Sequence, residues 1–368
     1  MSLMAFEGAQ CFRQRLLLST VSGKPIKITK VRVGDERPGF RDYEASLLRL
    51  LDKICDGSRI TINETGTTLR YTPGQLIGGE AIVHDCPPTR SISYFLEALI
   101  LLAPFSKVAL DVTLRGVTAD NKDVSVDSIK STAIPILDYI GVPGISIAVK
   151  KRGFAPAGGG EVHFQCPVIK KVRPFAVMKE GKVKRVRGVA YTMKVSPQFA
   201  ARMVDVARGI LNDFLPDVWI YTDHGRNPSG CPGYGMSLVC ETVKKVVKSA
   251  DAAAEITQEG ETGVEGFLDS PEAVGKAVAE RLLEEVQLDG VVDTQHQYIP
   301  LWFAALAEED AVCKIRLGKL SPHTVSLLRH IRDFLGVTFQ MEQDGIGGET
   351  VVFTCCGVGM QNMGKRSF

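Results

Sequence analysis

Apolar positions recur along this chain in two rhythms, short runs of period two and longer runs near period 3.6, which predict strands and helices in turn. Pro25 to Val33 sets Ile26, Ile28 and Val31 among lysines, the pattern of a strand. Tyr43 to Ile54 follows with Leu47, Leu48, Leu51 and Ile54 on one helical face, and Arg59 to Glu64 and Thr67 to Tyr71 read as further strands. The theme then repeats. Helices are predicted over Ser91 to Leu102 and Ser125 to Tyr139, with strands over Lys107 to Leu114, Gly144 to Lys150 and Gly160 to Cys166. Near the C-terminus, Ser270 is placed to cap a helix with Pro271 at its first position. Val274, Val278, Leu282 and Val286 line one face of that helix. Thr324 to Phe334 predicts the last helix, before strands at Val337 to Gln343 and Thr350 to Thr354.

Three α/β units emerge, at about 5–98, 99–184 and 270–368. Their common pattern predicts an α/β (α+β) fold whose sheets are covered by helices on one face. A different block separates the second unit from the third. Lys179, Lys182, Lys184, Arg185 and Arg187 form a basic stretch that reads as a linker or a domain boundary. Beyond it come a strand at Val189 to Met193, a helix after Ser196-Pro197, and strands at Val218 to Thr222 and Met236 to Glu241. The expected division is a core over 1–184, an inserted α/β domain over 185–269, and the rest of the core over 270–368.

Composition changes this picture little. The formal net charge of +2 excludes a globally basic nucleic-acid binder, so any RNA contact must come from local clusters. The candidates are Arg13 and Arg15, Lys24 and Lys27, Lys150 to Arg152, Lys179 to Arg187, and Arg329 with Arg332. Aromatic residues are sparsely interleaved with them, so base stacking is not expected. Nine cysteines without a CxxC pair, and six histidines away from ligand spacing, predict reduced thiols and no metal site. The longest apolar stretch, Ala98 to Phe105, is far short of a membrane span, and no secretory signal opens the chain. A soluble intracellular protein is expected.

The sharpest local feature is Arg152-Gly153-Phe154-Ala155-Pro156-Ala157-Gly158-Gly159-Gly160-Glu161-Val162. Its backbone N–H groups, beside Lys150, Lys151 and Arg152, could form an anion nest; a tight connection between strands is the alternative. This run resembles the signature of RNA 3′-terminal phosphate cyclases. Gly8-Ala9-Gln10, Arg37-Pro38-Gly39 and Pro232-Gly233-Tyr234-Gly235 extend the likeness over nearly the whole chain. The resemblance implies three repeated units like the C-terminal domain of a translation initiation factor, plus an inserted domain. It also implies chemistry: a histidine adenylylated from ATP with a divalent metal, then cyclisation of an RNA 3′-phosphate.

The sequence departs from a working cyclase where that chemistry needs carboxylates. After Gly8-Ala9-Gln10, where cyclases carry a glutamate and a glycine run, stand Cys11-Phe12-Arg13-Gln14-Arg15. An Asp-Gln pair of the third unit appears as His296-Gln297. His323 falls where the family's nucleophile lies. The replacements resemble instead the cyclase-like branch of eukaryotic ribosome assembly, through Gly8, Phe12, Arg15 and Ser22-Gly23-Lys24-Pro25-Ile26-Lys27-Ile28. That branch implies a nuclear, nucleolar role in small-subunit pre-rRNA processing, with a ribosome-assembly GTPase and the processing complex as partners. It implies no cofactor and no membrane.

Two enzymatic alternatives remain open at this level. One is a metal-free endonuclease built on His323, Arg329, His330 and Arg332, since a spacing of seven puts the two histidines on one side of the last helix. The other is residual adenylyl transfer to His323. The expected RNA- or anion-binding residues are Arg13, Arg15, Lys151, Arg152, Arg329 and Arg332. The signature loop is represented by Arg152, Gly153, Pro156, Gly158, Gly159 and Gly160.

Overall fold

The computed structural model describes residues 3–225, 230–254, 270–344 and 350–362. It contains helices α1 (Phe12–Ser22), α2 (Asp42–Ile54), α3 (Ser93–Leu102), α4 (Val126–Tyr139), α5 (Gln198–Asn212), α6 (Pro271–Gln287), α7 (Tyr298–Leu306) and α8 (Pro322–Leu335). The α/β class expected from the two rhythms is what the chain adopts.

Four four-stranded sheets carry the architecture. The first runs, edge to edge, Met4–Glu7, Ile26–Thr29, Leu69–Thr72, Arg59–Ile62. The second runs Gly79–Asp85, Leu110–Gly116, Gly160–Cys166, Ser146–Lys151, and the third Ala176–Val177, Cys313–Leu317, Val351–Cys355, Gln340–Gln343. In each, the first two strands are parallel and the remaining pairings antiparallel, with the last strand in sequence seated third. The fourth sheet, Val218–Gly225, Val183–Met193, Gly233–Thr242, Val247–Ala253, has a different order.

Parallel neighbours need a crossover, and each of these three sheets makes one. The crossover helices α1 and α3 pack together, α7 packs on α3, and all three are almost wholly buried. In the third sheet the crossover between Ala176–Val177 and Cys313–Leu317 also contains the entire fourth sheet, α5 and α6.

Two packing features bear on the division of the chain. The helix expected to open the third unit, α6, buries Val274, Val278, Ala279 and Leu282 in one apolar cluster with Ala200, Met203 and Ala207 of α5. Gly275 explains the fit, since a Cβ there would lie 2.5 Å from Met203 O. The basic run read as a linker or boundary enters the long strand Val183–Met193, where Arg185 pairs with Glu241 and Arg187 with Asp217. No helix among the described residues is long and apolar enough to cross a membrane.

Candidate functional site

A cleft of about 430 Å³ opens where α1, α3, the 120–124 loop, α6 and the start of α8 converge. Arg13 projects from the first turn of α1. Its Nη1 donates to Tyr94 O at 2.9 Å, its Nη2 to Glu97, and its guanidinium lies 4.6 Å from the centre of the Tyr94 ring. Burial opposes the charge on Arg13, but Glu97 and neighbouring groups outweigh it and hold the guanidinium above its ordinary range. Arg90 forks onto Asp123, Nε to Oδ2 at 2.7 Å, and stacks over Tyr43 and Tyr94.

Sequence reasoning missed the acidic half of this cleft. Glu97, Asp120, Asp123 and Asp251 line it, drawn from α3, one loop and a strand of the fourth sheet. Asp120 accepts the backbone N–H groups of Lys122 and Asp123. Asp251 accepts that of Ser125 at 2.7 Å, and burial pushes its carboxyl up to about 6. Four cations, Arg13, Arg90, Lys122 and Arg281, face these four acids. A cleft so balanced offers little net attraction to a triphosphate.

His323 stands at the mouth, exposed, just after the Ser321 cap of α8. Its outer edge meets solvent, but enclosure by the cleft walls, then the charges of Arg13 and His330, holds its imidazole at about 4. The neutral ring is therefore the resting form at pH 7. Gln297 sets this corner by donating to Lys319 O and accepting from the Ser321 N–H.

His296, where the resemblance to cyclases leads one to expect a carboxylate, lies behind the cleft wall, stacked beside Tyr298 and within range of the Glu97 and Asp251 charges. It is fully buried, with Nδ1 2.7 Å from an Asp293 oxygen that also takes its backbone N–H. Asp293 is itself buried and accepts from the backbone N–H and hydroxyl of Ser249, while His296 Nε2 is buried with no hydrogen-bond partner. Among the described residues no three His, Cys, Asp or Glu side chains are grouped to hold a metal. The carboxylates present are bound to arginines or backbone amides, so they do not fit the divalent ion that adenylylation requires.

The seven-residue spacing does not unite the two histidines. His330 is buried under α1, with Nδ1 3.0 Å from Gln14 Oε1 and its ring edge-on to Phe6. Gln14 Nε2 donates in turn to His323 O, so one glutamine ties both turns of α8 to α1. Burial, and then Arg15, pull the His330 imidazole down to about 4. Stability that depends on neutral His330 is complete above the unfolded value near 6.5 and is lost as pH falls toward 4. Histidine proton resonances followed from pH 8 to 4.5 are expected to show His330 untitrated until the fold gives way.

The six expected anion-binding cations divide. Arg13 serves Glu97; Arg15 is buried over Phe6 and donates to Gly8 O at 2.9 Å. Arg152 is 6% exposed and clamped between Asp127 and Asp223, each at 2.7 Å, above the Tyr191 ring. Lys151, Arg329 and Arg332 are exposed, Arg332 beside Asp333.

The signature loop is a packed joint. A Cβ on Gly153 would lie 2.2 Å from Gly160 N and 2.6 Å from Gly116 O, and one on Gly160 2.7 Å from Gly116 O. Gly158 and Gly159 take positive φ, and the Ala157 N–H lies 3.4 Å from Cys231 Sγ. The following Phe154 ring packs against Gly233, joining the loop to the fourth sheet through Tyr191 and Met193.

Residues 4–341 match the family model described as RNA 3′-terminal phosphate cyclase. The chain is 47% identical to the RNA 3′-terminal phosphate cyclase-like protein of Homo sapiens, covering 98% of this chain and 97% of that one. It is 44% identical to the probable RNA 3′-terminal phosphate cyclase-like protein of Dictyostelium discoideum over the full length of both. With the rRNA processing protein rcl1 of Schizosaccharomyces pombe it shares 40% identity over 99% of this chain and 98% of that one. The chain belongs to the RNA 3′-terminal phosphate cyclase family, among its cyclase-like proteins.

Proposed function

We propose that this chain is a pre-rRNA processing factor of the nucleolus, acting in small-subunit maturation without cyclase activity, beside a ribosome-assembly GTPase and the processing complex. The carrying observation is the cleft, whose Arg13 and Arg90 are already paired with Glu97 and Asp123, and where no three metal-ligating side chains are grouped among the described residues. The role in rRNA processing is supported by the name of the fission-yeast relative. The shared order and polarity of three sheets supports their origin as repeated units, divided by the inserted fourth. Burial of His330 against Gln14, in contrast to the exposed His323, weighs against the endonuclease alternative.

Incubating the pure chain with radiolabelled ATP and manganese, with and without an RNA 3′-phosphate, is expected to leave no covalent band. A band lost in His323→Ala would establish adenylyl transfer and overturn the proposal. Depleting the protein is expected to accumulate uncleaved small-subunit pre-rRNA; unchanged precursor profiles would remove the processing role.

A further inference from the structure

The fourth sheet has one face covered by α5 and α6, through Val186, Ala190, Met236 and Leu238. Its other face is only half covered. Helix α4 lies over the strands Gly233–Thr242 and Val247–Ala253, with Ser128 Oγ 2.7 Å from Ser237 Oγ and Ser125 N–H bonded to Asp251. Register carries that face outward from Ser237 through Val189 to Tyr221, and from Val239 through Arg187 to Trp219. Among the described residues, Arg152 reaches Asp223 at one end of this outer half and Val189 packs beside the Phe154 cluster, while the stretch at Trp219 and Tyr221 stays open. Trp219 is 58% exposed and Tyr221 59%, their ring centres 6.1 Å apart on the edge strand Val218–Gly225.

Two large aromatic rings left open to water are costly to expose unless something stacks on them. The charge beside them indicates what. At the end of the sheet where the edge strand starts, Lys182, Lys184, Arg185, Arg187, Lys244 and Lys245 come together, joined by the Val243 N–H bond to Lys182 O and the Val186 N–H bond to Asp217 O. Asp217 and Glu241 offset two of these six, through surface pairs with Arg187 and Arg185. Such pairs are weak and screened by salt, so they yield to a stronger anion. A sheet face with adjacent aromatics and a basic margin is the chemistry that holds an unpaired nucleic-acid strand, bases on the rings and phosphates along the cations. Trp219 and Tyr221 stand about 7 Å apart along the strand, suited to neighbouring bases.

We propose that the outer half of this sheet is a binding surface for single-stranded RNA, with Trp219 and Tyr221 as the stacking residues and the Lys182–Arg187 margin as the phosphate track. The choice of RNA rests on the processing role proposed above; the surface is separate from the cleft.

The full-length chain supplies its own probe, because of its two tryptophans Trp302 is 1% exposed and Trp219 open. Titrating a single-stranded oligouridylate is expected to quench tryptophan emission to saturation. Trp219→Ala with Tyr221→Ala, followed by a dye on the RNA, is expected to bind roughly tenfold or more weakly, at unchanged melting temperature and unchanged salt slope. Lys182→Gln with Lys184→Gln should instead flatten the salt slope. Absence of quenching, equal binding by the aromatic double variant, or equal affinity for a perfect duplex would each overturn the proposal. So would a partner peptide seated on these rings while RNA leaves their emission unchanged. Because the assay uses the pure chain, it succeeds or fails independently of the precursor profile after depletion.

Discussion

Glu97→Ala is expected to destabilise the fold by about 3–5 kcal/mol, because it strands the guanidinium of Arg13 in a site almost closed to water. Arg13 and Glu97 expose only 14% and 9% of their side chains, so solvent screening relieves little of the loss. Arg13 would keep one bond, to Tyr94 O, and its stacking on the Tyr94 ring. For a chain of this size the loss should lower the melting temperature by roughly 5 °C. The double replacement Arg13→Met with Glu97→Leu removes both charges and should recover much of the deficit. A double variant no better than Glu97→Ala would show that the pair matters for packing rather than charge. Thermal scans of the three variants decide between these outcomes.

Gly153→Ala is the second large expected effect, of about 3 kcal/mol or more, and its cause is backbone rather than charge. The added methyl would meet Gly160 N, Gly158 O and Gly116 O, all inside 3 Å. None of these atoms belongs to a flexible side chain, so relief requires moving strands. Gly153 also accepts from the Thr118 N–H at 2.8 Å and donates to Thr118 Oγ1, bonds that moving the strand would break. Gly8→Ala is the informative control. Gly8 has φ +69° yet nothing within 4 Å of a built Cβ, so only conformational strain near 1 kcal/mol is expected. Urea midpoints that rank the two variants the other way would contradict the crowding argument.

Much of the fold was legible because helices such as α2, α5 and α8 bury one face and wet the other. Helices α1 and α7 went unread for the opposite reason. Tyr298 to Leu306 is buried at every position, and α1 hides even Gln14 and Arg15, so neither displays a one-sided stripe. The strand at Gly79–Asp85 was also missed, its burial pattern broken by a register shift between Gly79 and Ile82.

The cleft was legible only in part. His323 and Arg13 were visible as single residues, but the acids that neutralise the cleft are remote in sequence and carry no motif. His296 and Gln297 were read as a lost and a kept partner of one site; tertiary packing turned the first inward to Asp293 and the second onto the α8 cap. The proposed stacking pair carries its own sequence signal. Trp219 and Tyr221 are two apart in a strand, which places both rings on one face. Neither ring lies within the basic clusters themselves, so the interleaving of aromatics with cations does not display the pair.

The division of the third sheet has a kinetic consequence. Its first strand, Ala176–Val177, leaves a nascent chain early, but its parallel neighbour Cys313–Leu317 follows only after the fourth sheet, α5, α6 and α7 have been made. Closing so long a loop costs entropy unless the intervening chain is already compact. The fourth sheet, whose ladder joins near neighbours, is suited to collapse first and draw the two ends together. Synthesis halted before residue 313 would then leave Ala176–Val177 as an unclaimed edge, a place where a waiting chaperone or a second unfinished chain could pair.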